Sequence, residues 1–391
     1  MLYIRKMAEF QAYKFRAVDT PLSSQARKEV GSLSSRSQVS STSASFVYHY
    51  GDFRGNPMNV LRQHFDLYMY FANWGTRQLM IKLPIDAVDY WELKKYEIEA
   101  SDYATCGISL NKSSKYVIID IEWNDEEGGG WMDIDDYDLS DFVAIREAIL
   151  NGDYSALFVY WLKIANMKAD PDFEYDEYDE DFQEAETETP PIPSQIIKNQ
   201  RQLIPFTNFF EIDKDLVGAT IQAAKQFGQT TQEIDYSELL QNMNETDKDT
   251  FLMQVLDGTP RVDVQLKKYL QQFAKANKTT ENTTTLSAIA DLQILATEER
   301  IAAERAEKAR KHRLKIEKTA KDETTIWKSV YFNLDRKTGS SYDLAVGMLV
   351  DLKDLAIYRD DLLTFQQKMD DIKDSYGRSK ALARRFTNAK L

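Results

Sequence analysis

The chain has 391 residues and a formal net charge of −14, and 43% of its residues are hydrophobic. This apolar content excludes global disorder, and the length predicts two or three domains. The single cysteine excludes a disulfide framework and a cysteine-rich zinc module, and the three scattered histidines argue against a histidine-based metal site.

The negative charge is concentrated in one segment. Residues 170–188 contain eleven carboxylates and no basic residue, and without them the net charge would be about −3. A protein that binds duplex DNA needs a basic surface to displace counterions, so the composition argues against this partner.

The sequence also gives expectations about membranes and location. The longest apolar run, residues 157–162, is far shorter than the roughly 20 residues of a membrane helix, so we expect no membrane partner. The first fifteen residues interleave charges with aromatic residues and lack the apolar core of a signal peptide, so we expect a cytoplasmic protein.

The first 168 residues alternate between strand and helix patterns. Period-two or β-branched runs predict strands at 9–18, 37–50, 77–83, 98–110 and 115–123. Helical spacing of apolar residues predicts helices at 20–33, 58–71, 86–96, 139–150 and 154–168. This order favours an open sheet with helices packed on it.

The predicted fold class is α+β, with an N-terminal open sheet, an acidic linker and an all-helical C-terminal region. The predicted divisions are an α+β domain at 1–168, a low-complexity acidic linker at 169–195, a helical domain at 196–276, and a long charged helix plus a helical hairpin at 286–391. The long helix pairs Glu with Lys at i,i+4, which is typical of a solvated helix or of a coiled coil that lies along a partner.

The most chemically suggestive motif is Asp120-Ile-Glu122 on a predicted strand. Residues two apart on a strand project to the same face, so both carboxylates would lie side by side. Two-metal nucleases hold their first ion with such a pair, but they need further carboxylates from other elements. We therefore favour a sheet strand with two solvated carboxylates, and we keep Asp120 and Glu122 as candidate metal ligands.

A second motif is the run ANWGTR at residues 72–77. Gly75 in a turn before a strand indicates a backbone position that requires glycine, and we expect Arg77 to meet a carboxylate such as Asp52 or Asp66. A structural role is favoured over ligand binding. The candidate signature residues of this run are Asn73, Trp74, Gly75 and Arg77.

Two further patterns bear on anionic ligands. Aromatic residues between positions 46 and 74 are interleaved with Arg54, Arg62 and Arg77, which would suit stacking of single-stranded bases, although their spacing is more typical of a core. Seven serines surround Arg36 between residues 34 and 45, without a G-x-S-x-G or S-x-x-K nucleophile motif. No P-loop and no G-x-G-x-x-G motif occurs, so we expect no nucleotide cofactor, and no other cofactor either.

Several blocks of the sequence resemble a family of uncharacterised bacterial proteins with no assigned activity. They are FRAVDTPLSSQ, the Y-x-Y-G-D-F-x-G block that ends at Gly55, the A-N-W-G-T-R block, and the Y-D-x-A-V-x-x-L-V-D-L block that begins with Tyr342 and Asp343. The resemblance implies a cytoplasmic bacterial protein, and it assigns no catalytic residue.

The missing catalytic motifs favour a non-catalytic protein over an enzyme without deciding the matter. Our leading hypothesis is an interaction or scaffold protein that docks a protein partner through its helical half. The alternative is a protein that binds or processes nucleic acid, single strands in particular, through Asp120 and Glu122 or through the arginine–aromatic cluster.

Overall fold

The computed structural model of the chain describes residues 10–49, 51–99, 106–124, 137–169, 187–227, 236–273 and 282–391. The chain divides into two compact units, Met1–Thr297 (unit 1) and Glu298–Leu391 (unit 2). The α+β class predicted from the sequence is confirmed, since an antiparallel sheet is followed by a large helical region.

Eight strands within the described residues form one open sheet in unit 1. They are β1 (Gln11–Arg16), β2 (Gln38–Val39), β3 (Ser43–Tyr48), β4 (Leu67–Ala72), β5 (Arg77–Pro84), β6 (Ile98–Glu99), β7 (Gly107–Lys112) and β8 (Tyr116–Trp123). Their spatial order is β2-β3-β1-β4-β5-β8-β7-β6, and every neighbouring pair is antiparallel.

The helices of unit 1 follow and interrupt these strands. They are α1 (Ser24–Ser32), α2 (Pro57–His64), α3 (Tyr90–Lys94), α4 (Val143–Leu150), α5 (Ser155–Ala169), α6 (Ile196–Asn199), α7 (Ile204–Phe209), α8 (Lys214–Phe227), α9 (Tyr236–Gln241), α10 (Glu245–Leu256), α11 (Val262–Gln271) and the start of α12 (Leu286–Asp335). None of the described helices is both long and apolar enough to cross a membrane.

The two faces of the sheet bury different clusters, because successive side chains of a strand point to opposite sides. On one face, which we call the helical face, Met69, Ile81 and Ile119 pack with the apolar residues of α4, α5 and α8. On the other face, Phe15 and Tyr68 pack with residues from α1 and α2. The sheet is therefore covered on both sides in its central part.

The structure corrects the predicted helix at 58–71. Helix α2 ends at His64, and residues 67–72 form the central strand β4 between β1 and β5. A strand that is buried on both faces shows no alternation between apolar and polar residues, so its run LYMYFA could not be distinguished from a helix by periodicity.

The division at Thr297 differs from the predicted boundaries at 169–195 and 196–276. Most of the predicted linker lies outside the described residues, but Ile192 is buried and its backbone nitrogen donates to the Asn282 carbonyl oxygen at 2.8 Å. Phe206 and Leu216 from the predicted helical domain belong to the same core as the sheet. Because these helices fill the helical face, they are part of unit 1.

A buried ion network joins distant parts of unit 1. Arg146 of α4 is fully buried, and its Nη1 and Nη2 donate to the Asp19 carboxylate at 3.0 and 2.5 Å. Arg261, which precedes α11, donates to Asp19 and also to Glu147. Two arginines thus hold one carboxylate, and this holds α11 against α4.

Unit 2 consists of helices only. The remainder of α12 is followed by α13 (Gly339–Tyr358), α14 (Leu362–Tyr376) and α15 (Lys380–Asn388). Thr338 ends the loop between α12 and α13 and caps α13, since its hydroxyl accepts from the Ser341 backbone nitrogen at 3.3 Å. A core that includes Val330, Leu349 and Phe365 holds the helices together.

Candidate functional site

The carboxylate pair predicted on β8 is present on one face of that strand, the face opposite to the helical face. In the sheet register Glu122 lies beside Gln78 of β5, and Asp120 lies beside Met80. The Gln78 Nε2 donates to Asp120 Oδ1 at 2.8 Å and to Glu122 Oε1 at 2.5 Å. The two carboxylates are therefore close neighbours that share one donor nitrogen.

Burial changes the acidity of this pair. Burial raises the pKa of Asp120 to about 7, and the charge of Glu122 adds to the shift, whereas the Gln78 hydrogen bond opposes it. Burial also raises the pKa of Glu122. Asp120 can therefore exchange a proton near neutral pH. In the part of the chain that the structure describes, no three His, Cys, Asp or Glu side chains gather as metal ligands, so the additional ligands of a two-metal centre are missing there.

The ANWGTR run forms the turn between β4 and β5. The Asn73 Oδ1 accepts from the Phe10 backbone nitrogen at 3.0 Å, and Gly75 has a φ of +104°, which favours glycine. Trp74 is 41% exposed. Three of the candidate residues thus shape or occupy a turn.

The predicted partner of Arg77 is wrong. Arg77 is only 1% exposed, and its Nη2 lies 2.5 Å from the Glu211 Oε1, whereas neither Asp52 nor Asp66 is its ion-pair partner. Glu211 lies two residues after the end of α7, in a segment that is 134 residues away from Arg77 in sequence. Arg77 therefore fixes the helical segment on the sheet and is not available to a ligand.

The arginine–aromatic cluster is mostly core. Phe46, Phe65 and Phe71 are fully buried, and the rings of Phe15 and Phe46 pack edge to face at 6.0 Å. Buried rings cannot stack on bases without unfolding the sheet. Arg62 donates to the Asn111 Oδ1 at 2.8 Å, so this guanidinium links α2 to β7.

The C-terminal candidates also have structural partners. Tyr342 is buried in the core of unit 2, and Asp343 accepts from Arg385 Nε at 2.7 Å and from its Nη2 at 3.3 Å. This bidentate pair joins α13 to α15, so Tyr342 and Asp343 hold the helices of unit 2 together.

A pocket that the sequence did not predict lies over β1, β2 and β3. It has a cavity volume of about 570 Å³, and we call it the basic pocket. Its lining residues are Lys14, Phe15, Arg16, Arg36, Gln38, Ser43, Ala44, Ser45, Val47, His49, Asp138 and Leu139.

The sheet register places the polar residues of the basic pocket side by side. Lys14 of β1 is paired with Ser45 of β3, and Ser45 is paired in turn with Gln38 of β2. Arg16 is paired with Ser43 in the next row of the same face. Directly paired side chains lie about 5 Å apart, so these groups form one continuous polar floor.

Five polar side chains of the pocket have no polar partner among the described residues. Arg16, Arg36, Gln38, Ser45 and His49 make no side-chain hydrogen bond or ion pair anywhere in the described ranges. Two guanidinium groups and several neutral donors therefore remain available at the pocket.

Two lining residues are already engaged. The Lys14 Nζ donates to the Tyr137 carbonyl oxygen at 2.5 Å and lies 5.4 Å from the centroid of the Phe71 ring. The Ser43 hydroxyl lies 2.7 Å from the hydroxyl of Ser40. Lys14 still contributes its positive charge to the pocket.

Asp138 is the only carboxylate among the lining residues that the structure describes. Its Oδ1 accepts from the Ser140 backbone nitrogen at 2.8 Å, which caps the 3₁₀ helix Leu139–Phe142. This hydrogen bond lowers the pKa of Asp138, and the charges of Lys14 and Arg16 lower it further. Asp138 is therefore ionised at neutral pH and can only accept hydrogen bonds.

The serines and Arg36 stand out in the sequence, whereas the pocket does not. The signal that could have located it is the pairing of K-x-R in β1 with S-x-S in β3 on one face. This pairing requires knowledge of the register, and Asp138 comes from a segment more than ninety residues further along the chain. Comparisons of the chain with protein families, with curated proteins and with solved structures find no match.

Proposed function

We propose that the protein binds a phosphate-bearing ligand in the basic pocket of unit 1. One observation carries the proposal: in a chain of net charge −14, Lys14, Arg16 and Arg36 surround a cavity of about 570 Å³ whose lining, among the residues that the structure describes, contains a single carboxylate. Positive charge concentrated at a concave surface of an acidic protein attracts anions locally.

The chemistry of the lining suits phosphate in particular. A guanidinium presents a planar fork of donors that matches the oxygens of a phosphate, and such charge-assisted hydrogen bonds are stronger than neutral ones. Because Arg16 and Arg36 have no ion-pair partner in the described residues, binding would not require an existing pair to break. Ser45 and Gln38 supply further donors on the floor.

Calorimetric titration with inorganic phosphate at low salt tests the proposal. We expect Arg16→Glu to weaken phosphate binding at least about tenfold, because it replaces a donor with a like charge. Arg54→Glu is the matched control, since Arg54 is exposed, lies outside the pocket and makes the same change of charge. Equal affinities of the two variants would contradict the proposal.

A second candidate function is docking of a protein partner through the helical half, in the cytoplasm. It is supported by α10, none of whose residues is buried. Leu252, Met253, Val255 and Leu256 are between 55% and 78% exposed on this short helix. Exposed apolar side chains that cluster in this way are typical of interaction surfaces.

Affinity capture from a bacterial cytoplasmic extract tests this second candidate. We expect a captured partner to be lost with Leu252→Glu/Leu256→Glu and retained with Leu363→Glu, which places the same charge at another exposed leucine. A partner profile that is the same for both variants and for the unmodified chain would argue against docking through α10.

A further inference from the structure

The basic pocket is much larger than a phosphate group. A water molecule occupies about 30 Å³ in the liquid, so a cavity of about 570 Å³ can hold a phosphate together with a larger body. Pockets for small metabolites and cofactors usually measure about 300–1,000 Å³. The remaining lining should therefore indicate what is attached to the phosphate.

Asp138 is the feature that a phosphate alone does not explain. Within the described part of the chain the Asp138 carboxylate accepts hydrogen bonds from Ser140 alone, and a carboxylate can accept about four. The carboxylate also forms no ion pair with Lys14 or Arg16, although both lie close enough to influence its charge. Asp138 is an exposed residue at the pocket, and its negative charge would repel a bound phosphate unless the rest of the ligand brings a hydrogen-bond donor to it.

The charge of the pocket determines which kind of donor this is. Among the described lining residues, Lys14, Arg16 and Arg36 leave a positive balance even after Asp138 is counted, so these residues would repel an ammonium group. A hydroxyl is a neutral donor that meets no such repulsion, and two adjacent hydroxyls can donate to one carboxylate together.

We infer that the ligand of the basic pocket is a pentose phosphate unit, with its phosphate at Arg16 and Arg36 and its vicinal hydroxyls at Asp138. This inference rests on the proposed function. A free sugar phosphate and a nucleotide share this unit. The absence of a P-loop does not conflict with it, because the pocket supplies side-chain donors in place of backbone nitrogens.

The decisive variant is Asp138→Asn. Asparagine caps helices as well as aspartate does, so the hydrogen bond from the Ser140 backbone nitrogen and the local fold should be retained. The change replaces one acceptor oxygen with a donor nitrogen and removes the negative charge. We expect it to weaken ribose 5-phosphate binding at least about tenfold and to leave inorganic phosphate binding equal or slightly tighter.

Titrations of the full chain with three probes complete the test. We expect ribose 5-phosphate to bind more tightly than 2-deoxyribose 5-phosphate, and both to bind more tightly than inorganic phosphate. If AMP binds more tightly than ribose 5-phosphate, the ligand that carries the pentose phosphate unit is a nucleotide. If the two bind equally, the ligand is a free sugar phosphate. A thermal melt of each variant confirms that it is folded.

The outcomes separate the two proposals. Phosphate binding that depends on Arg16, without preference for the sugar phosphates and without an effect of Asp138→Asn on selectivity, would overturn the pentose inference alone. Absence of phosphate and sugar phosphate binding, or binding that Arg16→Glu does not weaken, would overturn both.

Discussion

Replacing Asp120 by asparagine should stabilise unit 1 at neutral and alkaline pH. In the folded protein the pKa of Asp120 is raised to about 7, whereas the ordinary pKa of an aspartate is 3.8. Between these values the folded state binds more protons than the unfolded state, so the stability of the native protein falls as the pH rises from about 4 to about 7. Asparagine removes this dependence and can still accept the hydrogen bond from Gln78.

The size of the expected stabilisation follows from the pKa shift of Asp120. About three pKa units at 1.36 kcal/mol each give an upper limit of about 4 kcal/mol. Asp120 is only partly buried, so solvent screens part of this cost, and we expect about 1–2 kcal/mol above pH 7. At pH 4 the difference from the unmodified protein should nearly vanish, because Asp120 and the asparagine that replaces it are then both neutral in the folded state.

Urea unfolding from pH 4 to pH 8, followed by tryptophan fluorescence, measures this difference. Trp327 lies in unit 2, so both proteins should carry Trp327→Phe to make the signal report on unit 1. Asp249→Asn is the matched control, since the side chain of Asp249 is exposed and makes no hydrogen bond or ion pair in the described residues.

Two results would refute the reasoning. One is a stability difference between Asp120→Asn and the unmodified protein that is constant from pH 4 to pH 8, which would mean that Asp120 titrates normally. The other is a variant that becomes less stable above pH 7, which would mean that the ionised carboxylate makes a favourable contact.

Three further predictions concern the frame of unit 1 and its pocket. Arg146→Met should destabilise unit 1 by about 3 kcal/mol in urea unfolding, because the largely buried carboxylate of Asp19 then keeps only one arginine; no loss of stability would show that the network is dispensable. Gly107→Ala should destabilise unit 1 by about 2 kcal/mol, because a Cβ at this position would lie 2.2 Å from the Ile98 carbonyl oxygen. Gly347→Ala is the control: a Cβ there would have no atom within 4 Å, so the change should be neutral or stabilising for unit 2. Phosphate affinity of the basic pocket should fall several-fold as NaCl rises from 50 to 300 mM, and calorimetry that finds salt-independent binding would exclude an electrostatic site.

The same-face placement of Asp120 and Glu122 was predictable because a strand alternates with a period of two, whatever its neighbours are. Gly75 was predictable as a turn residue for a similarly local reason. The partner of Arg77 was not, since Glu211 is brought to it by the packing of α7 against the sheet. The secondary structure of residues 67–72 was not predictable from the sequence either, because only the position of β4 between β1 and β5 distinguishes this apolar run from a helix.

The amino-acid sequence by itself determined which segments alternate between apolar and polar residues and where the charged residues are concentrated. It also determined that a sheet precedes a helical region. These features depend on residues that are close to one another in sequence, so the local periodicity of the sequence indicates them. Only the tertiary structure decided that residues 196–227 belong with the sheet and that Arg16, Arg36 and Asp138 surround one cavity. Strand order and register fix those neighbours, and both result from the simultaneous packing of segments that are distant in sequence.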